Sequence, residues 1–376
     1  MPWKVSPMSE IRLAFVHQVV SLQVSVSEAC RQFEISRKTG HKWLARYREQ
    51  PEQPLADRSR RPAGSPRRTA AAVEERILQV RAQYGWGPRK IHAFLTEAGL
   101  VLPGIRTVGN ILRRRGCILP RSEPPPAPLC FERSEAHQLW QCDHKGPLEI
   151  DRQQVFPFVI VDDHSRFMLA LRPCLDVTTR TAFAVLWDAF GEFGIPEAVL
   201  CDNAFSACQI PKTVSWFDSQ LIRLGIRPTH GRPYHPQTQG KVERLNGTLQ
   251  REVWPFIRRD SLEHFDADAN RWRRQVYNLL RPHEALGDKP PVTRFRPSPR
   301  VRPACVPEVE YPSNAVLRKV ARGGDVSWRG CRVLVGAGLV GQWIRVEVRE
   351  HETAFYYAWK QIRCLAADQF KRDNLL

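Results

Sequence analysis

The sequence predicts a multidomain chain in which α-helical modules are followed by an α/β domain and then by a small β-barrel-like domain. Two proline-rich breaks, at 51–68 and 120–129, interrupt segments with helical periodicity. From about residue 137 strand-like and helix-like segments alternate, which is typical of an α/β fold. Beyond residue 300, apolar and polar residues alternate between Gly-rich turns, which indicates antiparallel strands. The predicted boundaries are a helix-turn-helix domain at 1–55, a basic linker at 56–69, a second helical domain at 70–120, a proline-rich linker at 121–136, an α/β domain at 137–300 and a β-rich domain at 301–376.

Positive charge is concentrated near the amino terminus. The 376 residues carry a formal net charge of +18. Residues 1–121 hold 22 lysines and arginines against 9 aspartates and glutamates, which places +13 of that charge in this third of the chain. Such an excess attracts polyanions. Nucleic acid is favoured over membrane because no apolar run approaches the roughly 18 residues of a transmembrane helix. The first ten residues lack the apolar centre of a signal peptide, so we expect a cytoplasmic location.

The ten cysteines include no Cys-x-x-Cys pair. This spacing predicts neither a zinc knuckle nor a small disulfide framework. Cys142 and Cys201 each precede an aspartate at the end of an apolar run. We interpret the cysteines as small buried hydrophobic residues in a reducing compartment.

The first module has the pattern of a helix-turn-helix. Ser27 is predicted to open a short helix, residues 34–36 form the connection, and a second helix covers 37–47. Glu34 occupies the position where a small turn-former is expected. A helical hairpin with a solvated basic face is the alternative, and the charge excess favours a second helix that enters a DNA major groove. The apolar residues predicted to pack between the helices are Ala29, Cys30, Phe33, Ile35, Trp43 and Leu44. The basic residues predicted to face outward and bind DNA are Arg37, Lys38, Lys42 and Arg46.

The second module shows three helical segments, at 70–84, 89–99 and 106–116. Pro88 suits a first helical position, and Gly99 and Gly116 suit helix ends. The basic run at the end of the third segment is either a phosphate clamp or a solvated helix end, and the neighbouring basic module favours phosphate contact. That run consists of Arg113, Arg114 and Arg115.

Three acidic residues in the α/β region fall where strand and helix ends are predicted. Asp143 ends the first strand, Asp202 ends the fourth, and Glu243 lies in the first turns of a late helix. Strand ends in an open α/β sheet face a common crevice. Converging carboxylates require a cation, and their hard oxygen atoms select Mg²⁺ or Mn²⁺, with two ions expected for phosphoryl transfer. By contrast, the acidic pair at 162–163 lies between two strands and is predicted to form a hairpin turn.

Several segments of this region resemble the catalytic domain shared by bacterial insertion-sequence transposases and retroviral integrases. The MPWKV start, the two helical modules and the YGWGPRKI turn also resemble this group of transposases. The segments of the α/β region are WQCDHKGPL, VIVDDHSRFMLA, VLCDNAF, YHPQTQGKVERLNGTLQREV and YNLLRPHEALGDKPP.

The resemblance implies a ribonuclease-H-like catalytic domain whose metal-binding and catalytic triad is Asp143, Asp202 and Glu243. It implies metal-dependent DNA cleavage and strand transfer at the ends of an insertion sequence. It also implies that the protein acts as at least a dimer on DNA and is associated with the bacterial nucleoid. Forty residues separate Asp202 from Glu243, a longer spacing than in the best-known members. Ala204 stands where glycine usually follows Asp-Asn, which changes the turn available there. The amino-terminal His/Cys zinc site of retroviral integrases has no counterpart in the sequence.

Other residues near the triad suggest supporting roles. Lys241 and Arg244 flank Glu243 and are predicted to meet DNA phosphates. His230 and His235 are candidate proton carriers or, as the favoured alternative, loop-ordering residues. The aromatic residues after 300 fit a core, a DNA-stacking surface or an oligomer contact equally well. The rivals to a transposase are a DNA-binding regulator with a decayed catalytic domain and a ribonuclease-H-like nuclease. The three carboxylates disfavour the first, and the two upstream helical modules disfavour the second.

Overall fold

The computed structural model describes residues 8–51, 55–57, 68–118, 132–201, 213–230 and 240–370, the side chains of Glu243 and Asp368 excepted. The chain divides into two compact units, 1–68 and 69–376. Among the described residues, every helix is too short or too polar to cross a membrane.

The first unit is a three-helix module. Helix α1 spans Met8–Val20, α2 spans Val26–Gln32 and α3 spans Arg37–Glu49. The prediction that Ser27 opens the short helix is wrong by one position, because α2 begins at Val26, where the extended Ser25 accepts the Glu28 amide and thereby caps the helix. The predicted core is confirmed: Ala29, Cys30, Trp43 and Leu44 are buried, with Phe33 and Ile35 packed against them.

Two backbone features allow α2 and α3 to pack closely. Glu34 adopts a left-handed φ of 52°, so the expected small turn-former is replaced by a residue in the conformation that favours glycine. At Gly40 of α3 an added Cβ would lie 2.5 Å from Sγ of Cys30 and 2.9 Å from Cζ of Phe15. A glycine is therefore required where α3 crosses the other two helices.

The second unit begins with the three predicted helices. Helix α4 spans Ala71–Tyr84, α5 spans Pro88–Glu97 and α6 spans Ile105–Arg114. Pro88 occupies the first position of α5, and Gly99 and Gly116 have left-handed backbones beyond α5 and α6, as predicted. Buried side chains of all three helices form one core with Trp86.

A mixed five-stranded sheet follows. Three antiparallel strands occupy one edge and two parallel strands the other. A short hairpin after the first strand is absent from the prediction because each of its strands has only three residues, too few to show a periodic pattern. The strands are β1 (Trp140–His144), the hairpin strands β2 (Leu148–Ile150) and β3 (Gln153–Val155), then β4 (Phe158–Asp162), β5 (Met168–Arg172), β6 (Ala198–Cys201) and β7 (Arg227–His230). The order in the five-stranded sheet is β5-β4-β1-β6-β7.

Helices cover both faces of this sheet. On one face α7 (Thr179–Phe193) and α8 (Trp216–Arg223) pack against residues that include Ile160. On the other face, α9 (Gly240–Glu252) and α10 (Leu262–Arg271) pack against residues that include Val159 and Val161, which lie on either side of Ile160 in β4. Successive residues of a strand point to opposite faces, so β4 contributes to both cores. Helix α10 continues into a π-helical stretch at Trp272–Tyr277.

The last part of the chain is a small β domain. Its strands are β8 (Val316–Lys319), β9 (Asp325–Trp328), β10 (Cys331–Leu334), β11 (Trp343–Val348), β12 (Glu352–Tyr357) and β13 (Lys360–Ala366). They form a four-stranded antiparallel sheet, β13-β12-β11-β8, and a separate hairpin, β10-β9. The predicted strands are confirmed, whereas their closure into a barrel stays a prediction. The core of the domain includes Val214, which lies just before α8, and Ile222, which lies within α8.

Candidate active site

Asp143 lies near the carboxyl end of β1, the central strand of the sheet, and its side chain is partly buried. Asn246 of α9, which is 8% exposed, donates a hydrogen bond from Nδ2 to Oδ2 of Asp143 at 3.1 Å. Val242, Leu245 and Leu249 anchor the same helix in the core beneath. The orientation of the Asp143 carboxylate is therefore fixed by a side chain from a packed helix.

Strands β1 and β6 bring two of the sequence motifs together. They run parallel, with Gln141 paired to Leu200, so Cys142 lies beside Cys201 with 2.8 Å between the two Sγ atoms. Both thiols are buried, and burial raises the pKa of Cys201 well above its ordinary value. Asp143 and Asp202 directly follow these cysteines in the sequence. Asp202 lies outside the described residues.

The prediction of buried cysteines is confirmed at five of the eight cysteines that the structure describes. These five, Cys30, Cys142, Cys174, Cys201 and Cys331, are buried and free, whereas Cys117 and Cys364 are half-buried. The prediction is wrong for Cys305, which is exposed because it lies in an irregular segment that connects the α/β domain to the β domain. Cys130 and Cys208 lie outside the described residues.

The third predicted ligand, Glu243, belongs to α9, three residues before Asn246. Its backbone therefore lies about one helical turn from the residue that contacts Asp143. Among the described side chains, which do not include those of Asp202 and Glu243, no three His, Cys, Asp or Glu residues converge on one point. The second amide atom of Asn246, Oδ1, is buried without a partner in the described part of the chain. An unpaired oxygen beside a carboxylate is a donor set that suits a hydrated Mg²⁺ or Mn²⁺ ion.

The acidic pair at 162–163 lies where the turn is predicted, with Asp162 as the last residue of β4 and Asp163 as the first residue of the turn, and both side chains are buried. Asp162 accepts hydrogen bonds from the amides of His137 and Ser165, both at 2.8 Å. Asp163 accepts one from Nε2 of Gln141 at 2.6 Å. These carboxylates organise the end of β4, and their bonds explain why two acids stand together there.

Lys241 has an internal partner that its sequence pattern does not indicate. Its Nζ contacts Oδ1 of the buried Asp163, and the Lys241 side chain is 12% exposed. Burial lowers the pKa of Lys241, while Asp163 counteracts that effect. Arg244 is exposed on the same helix. Of the two residues predicted to meet DNA beside Glu243, Arg244 has the accessible side chain, and its contact with DNA stays a prediction.

His230 ends β7 and bonds through Nε2 to Oδ1 of Asp218 at 2.8 Å. Asp218 also forms a capping box with Ser215 at the start of α8. This arrangement agrees with the loop-ordering interpretation of His230. His235 lies outside the described residues.

The predicted DNA-binding residues of α3 do not share one environment. Arg37, Lys38 and Lys42 are exposed, whereas Arg46 is half-buried with its guanidinium 4.7 Å from the centre of the Trp43 ring. Arg12 of α1 also lies over this ring, at 3.9 Å. Sequence spacing carries no signal for Arg12 because the contact joins two helices through tertiary packing.

The basic run at the end of α6 is partly engaged within its own module. Nη2 of Arg114 lies 2.6 Å from Oε1 of Glu74, which is 2% exposed, and Arg115 lies 3.8 Å from the other oxygen of Glu74. Arg113 bonds to Asn110 of the preceding turn. All three side chains retain exposed surface, so their contact with phosphate stays a prediction.

Comparison with known sequence families agrees with this architecture. Residues 133–236 and 224–291 match two families that are each described as an integrase core domain. Residues 11–63 match a helix-turn-helix domain, and residues 39–112 match a homeodomain-like domain. The chain thus carries an integrase core preceded by helix-turn-helix modules, and its resemblance to insertion-sequence transposases with an integrase-like catalytic domain is confirmed.

A particular relative is the "Putative transposase for insertion sequence element IS5376" of Geobacillus stearothermophilus. The two sequences are 29% identical over 161 residues, which amount to 42% of this chain and 39% of that relative. The match therefore spans well under half of the relative's length.

Two solved structures are similar in part. The intasome of simian T-cell lymphotropic virus has 18% identity and a TM-score of 0.37, covering 77% of this chain and 99% of the viral chain. The HTLV-2 integrase catalytic core in complex with magnesium has 17% identity and a TM-score of 0.32, covering 43% and 99%.

Proposed function

We propose that this protein is a transposase that cleaves DNA at the ends of an insertion sequence and joins those ends to target DNA. One observation carries the proposal: an integrase core domain, matched over 133–291, follows DNA-binding modules in one chain and holds Asp143 on its central strand. We assign the catalytic and metal-binding triad to Asp143, Asp202 and Glu243, an Asp-Asp-Glu set.

The chemistry follows from the types of residue. Asp143, Asp202 and Glu243 would hold one or two Mg²⁺ or Mn²⁺ ions, which when bound would activate the attacking oxygen and stabilise the leaving one. Asn246 fixes the direction of the Asp143 carboxylate through the 3.1 Å bond. Water first hydrolyses a phosphodiester and exposes a 3′-hydroxyl at the element end. That hydroxyl then attacks a target phosphorus atom, so a new phosphodiester forms as a target strand is released with its own 3′-hydroxyl.

The proposed partners are the terminal repeats of the element and target DNA. The basic amino-terminal third binds the repeats, with Arg37, Lys38 and Lys42 on the accessible side of α3. Two ends must be brought together for insertion, so at least a dimer acts on DNA. The DNA substrate places the protein at the bacterial nucleoid.

The test is incubation of the purified full-length chain with its element's terminal DNA and Mg²⁺, followed by separation of cleaved and joined strands. The expected products are nicked ends and, with target DNA, joined strands. Asp260→Asn is a matched control for Asp143→Asn because Asp260 is exposed and pairs with His264 of the same helix region. Binding without either product would support a DNA-binding regulator, and cleavage without joining would support a nuclease.

A further inference from the structure

Glu252, the last residue of α9, is a buried carboxylate that receives four hydrogen bonds. Two come from Arg281 of the same domain, through Nε at 2.7 Å and Nη2 at 2.9 Å. The other two come from the second helical module, from Nε1 of Trp86 at 3.1 Å and Nζ of Lys90 at 3.0 Å. Glu252 is 8% exposed, so this carboxylate joins two parts of the chain inside the protein.

Two cations, Arg281 and Lys90, share the single negative charge of Glu252. Burial alone would raise the pKa of Glu252, but the hydrogen bonds and charge of Arg281, with the charge of Lys90, outweigh it and leave the pKa below its usual value. Burial lowers the pKa of Lys90, with the charge of Glu252 acting in the opposite direction. A buried carboxylate paired with two cations is costly to separate from either of them.

Further contacts around Glu252 fix the orientation of the second helical module relative to the α/β domain. Arg81 of α4 donates to the carbonyl oxygens of Gly85 and Trp86, which sets the turn that presents Trp86. At the edge of the contact, Arg89 bonds to Asp288 at 2.9 Å and to Glu284 at 2.6 Å. The contact between the second helical module and the α/β domain therefore has Glu252 at its buried centre and the ion pairs of Arg89 at its charged rim.

These residues belong to two sequence motifs for which the catalytic chemistry gives no role. The segment GWGPRK at 85–90 supplies Trp86, Arg89 and Lys90, and the segment LLRPHEALGDK at 279–289 supplies Arg281 and the rim acids. About two hundred residues separate the motifs in sequence, and Glu252 lies between them. The structure brings both to the end of α9, the helix that also carries Asn246 and Glu243.

We infer that the contact centred on Glu252 makes the second helical module and the integrase core one rigid body, which sets the distance between the bound terminal repeat and the phosphodiester that is cut. Trp86, Lys90 and Glu252 are positioning residues in this scheme, and they act through α9 rather than on DNA. The inference rests on the proposed function for its DNA substrate, whereas the contact itself is independent of activity.

The first test measures the contact without DNA. A site-specific protease site is placed within 120–129 of the full-length chain, the folded protein is cut, and exchange with a labelled amino-terminal fragment is timed. Lys90→Met and Trp86→Phe remove donors from the helical side and leave the Glu252–Arg281 pair intact. Each is expected to speed exchange about tenfold. Lys90 is one partner of a buried charged pair, whose loss acts mainly on dissociation, and Trp86 donates a further hydrogen bond to the same buried carboxylate. Arg76→Met, an exposed change on α4, removes a charge from the same module and is expected to leave exchange unchanged.

The second test maps the cleavage position on terminal DNA at single-nucleotide resolution. The wild-type chain and Arg76→Met are expected to cut at one phosphodiester. The Lys90→Met and Trp86→Phe chains are expected to cut over several neighbouring ones, an effect that loss of stability alone would not produce. An unchanged cleavage position together with faster exchange would overturn the positioning role, and unchanged exchange would overturn the contact itself. If the wild-type chain cuts no DNA, the proposed function fails, and the exchange rates alone decide whether Glu252 joins the two modules.

Discussion

Asn246 and Asp143 are joined by a hydrogen bond of 3.1 Å between Nδ2 and Oδ2, across 103 positions of the sequence. The bond links a helix packed on the sheet to the end of its central strand. It leaves Oδ1 of Asn246 buried without a partner among the described residues. Asn246 is thereby a positioning residue for a proposed metal ligand, and loss of such a partner typically lowers metal affinity or activity by about 10- to 100-fold.

We expect Asn246→Ala to lower the rate of strand cleavage by about 10- to 100-fold while DNA affinity and thermal stability change little. The reason is that Asp143 loses the donor that fixes its carboxylate. Single-turnover cleavage and a titration of activity with Mg²⁺ measure the effect, which should include weaker metal binding. Asn270→Ala is the matched control, because that amide bonds to Asp266 on α10, away from β1. Equal rates for the two variants would exclude Asn246 from the site.

Replacing Asp143, Asp202 or Glu243 by its amide should abolish cleavage and joining. Loss of about 4 kcal/mol of metal stabilisation corresponds to roughly a thousandfold in rate. Gel analysis of both products, beside binding by mobility shift, measures this, with Asp260→Asn as the exposed acid-to-amide control. Any variant that joins strands at a near-normal rate removes that residue from the triad.

We expect a metal requirement because the proposed triad consists of carboxylates alone. After chelation, Mg²⁺ or Mn²⁺ should restore strand transfer and Zn²⁺ should restore little, because hard oxygen ligands favour the first two ions. The assay adds back each ion separately at matched ionic strength. Full activity of the chelated protein would contradict the mechanism.

Basic residues of α3 should differ in how they affect DNA binding. If Arg37, Lys38 or Lys42 neutralises a phosphate, its alanine variant should weaken binding to all DNA and flatten the salt dependence by about one unit. If it contacts a base edge, discrimination should fall by about 1–3 kcal/mol at one position. Full-length variants are titrated against terminal and scrambled DNA at several salt concentrations. Arg31→Ala on α2, where Arg31 pairs with Glu28, is the control. Unchanged binding by all three α3 variants would assign recognition elsewhere.

Stability should fall on mild acidification because of His283. Burial, followed by the charge of Arg281, lowers the pKa of His283 from 6.5 to about 3. Between these two pKa values the unfolded chain binds a proton at His283 that the folded chain excludes. The free energy of unfolding therefore decreases as the pH falls from about 6.5 towards 3, by up to about 1.4 kcal/mol per pH unit. Urea unfolding followed by tryptophan fluorescence at pH 7 and pH 5 should show a smaller loss for His283→Gln. The exposed His264→Gln should behave like the wild type, and identical pH slopes for all three chains would show that His283 is not the cause.

Local sequence determined the modules and most elements of this protein. The Arg37–Glu49 helix, the Pro88 helix start and the strand segments around Asp143 and Cys201 follow from periodicity, caps and turn residues that act within a few positions. The candidate triad likewise follows from the sequence motifs that carry its three acids, since each motif is a short continuous segment.

Only the tertiary structure decided which distant residue each functional or charged side chain pairs with. Three such contacts join residues that are far apart in the chain. Lys241 pairs with the buried Asp163, and Asn246 donates a hydrogen bond to Asp143. Glu252 accepts hydrogen bonds from Trp86, Lys90 and Arg281. The spacing of residues in the sequence cannot predict such pairs, because a charged residue on a helix has the same local pattern whether its side chain faces solvent or a buried acid. Its partner depends on how the sheet and helices pack, and desolvation then makes that pairing necessary.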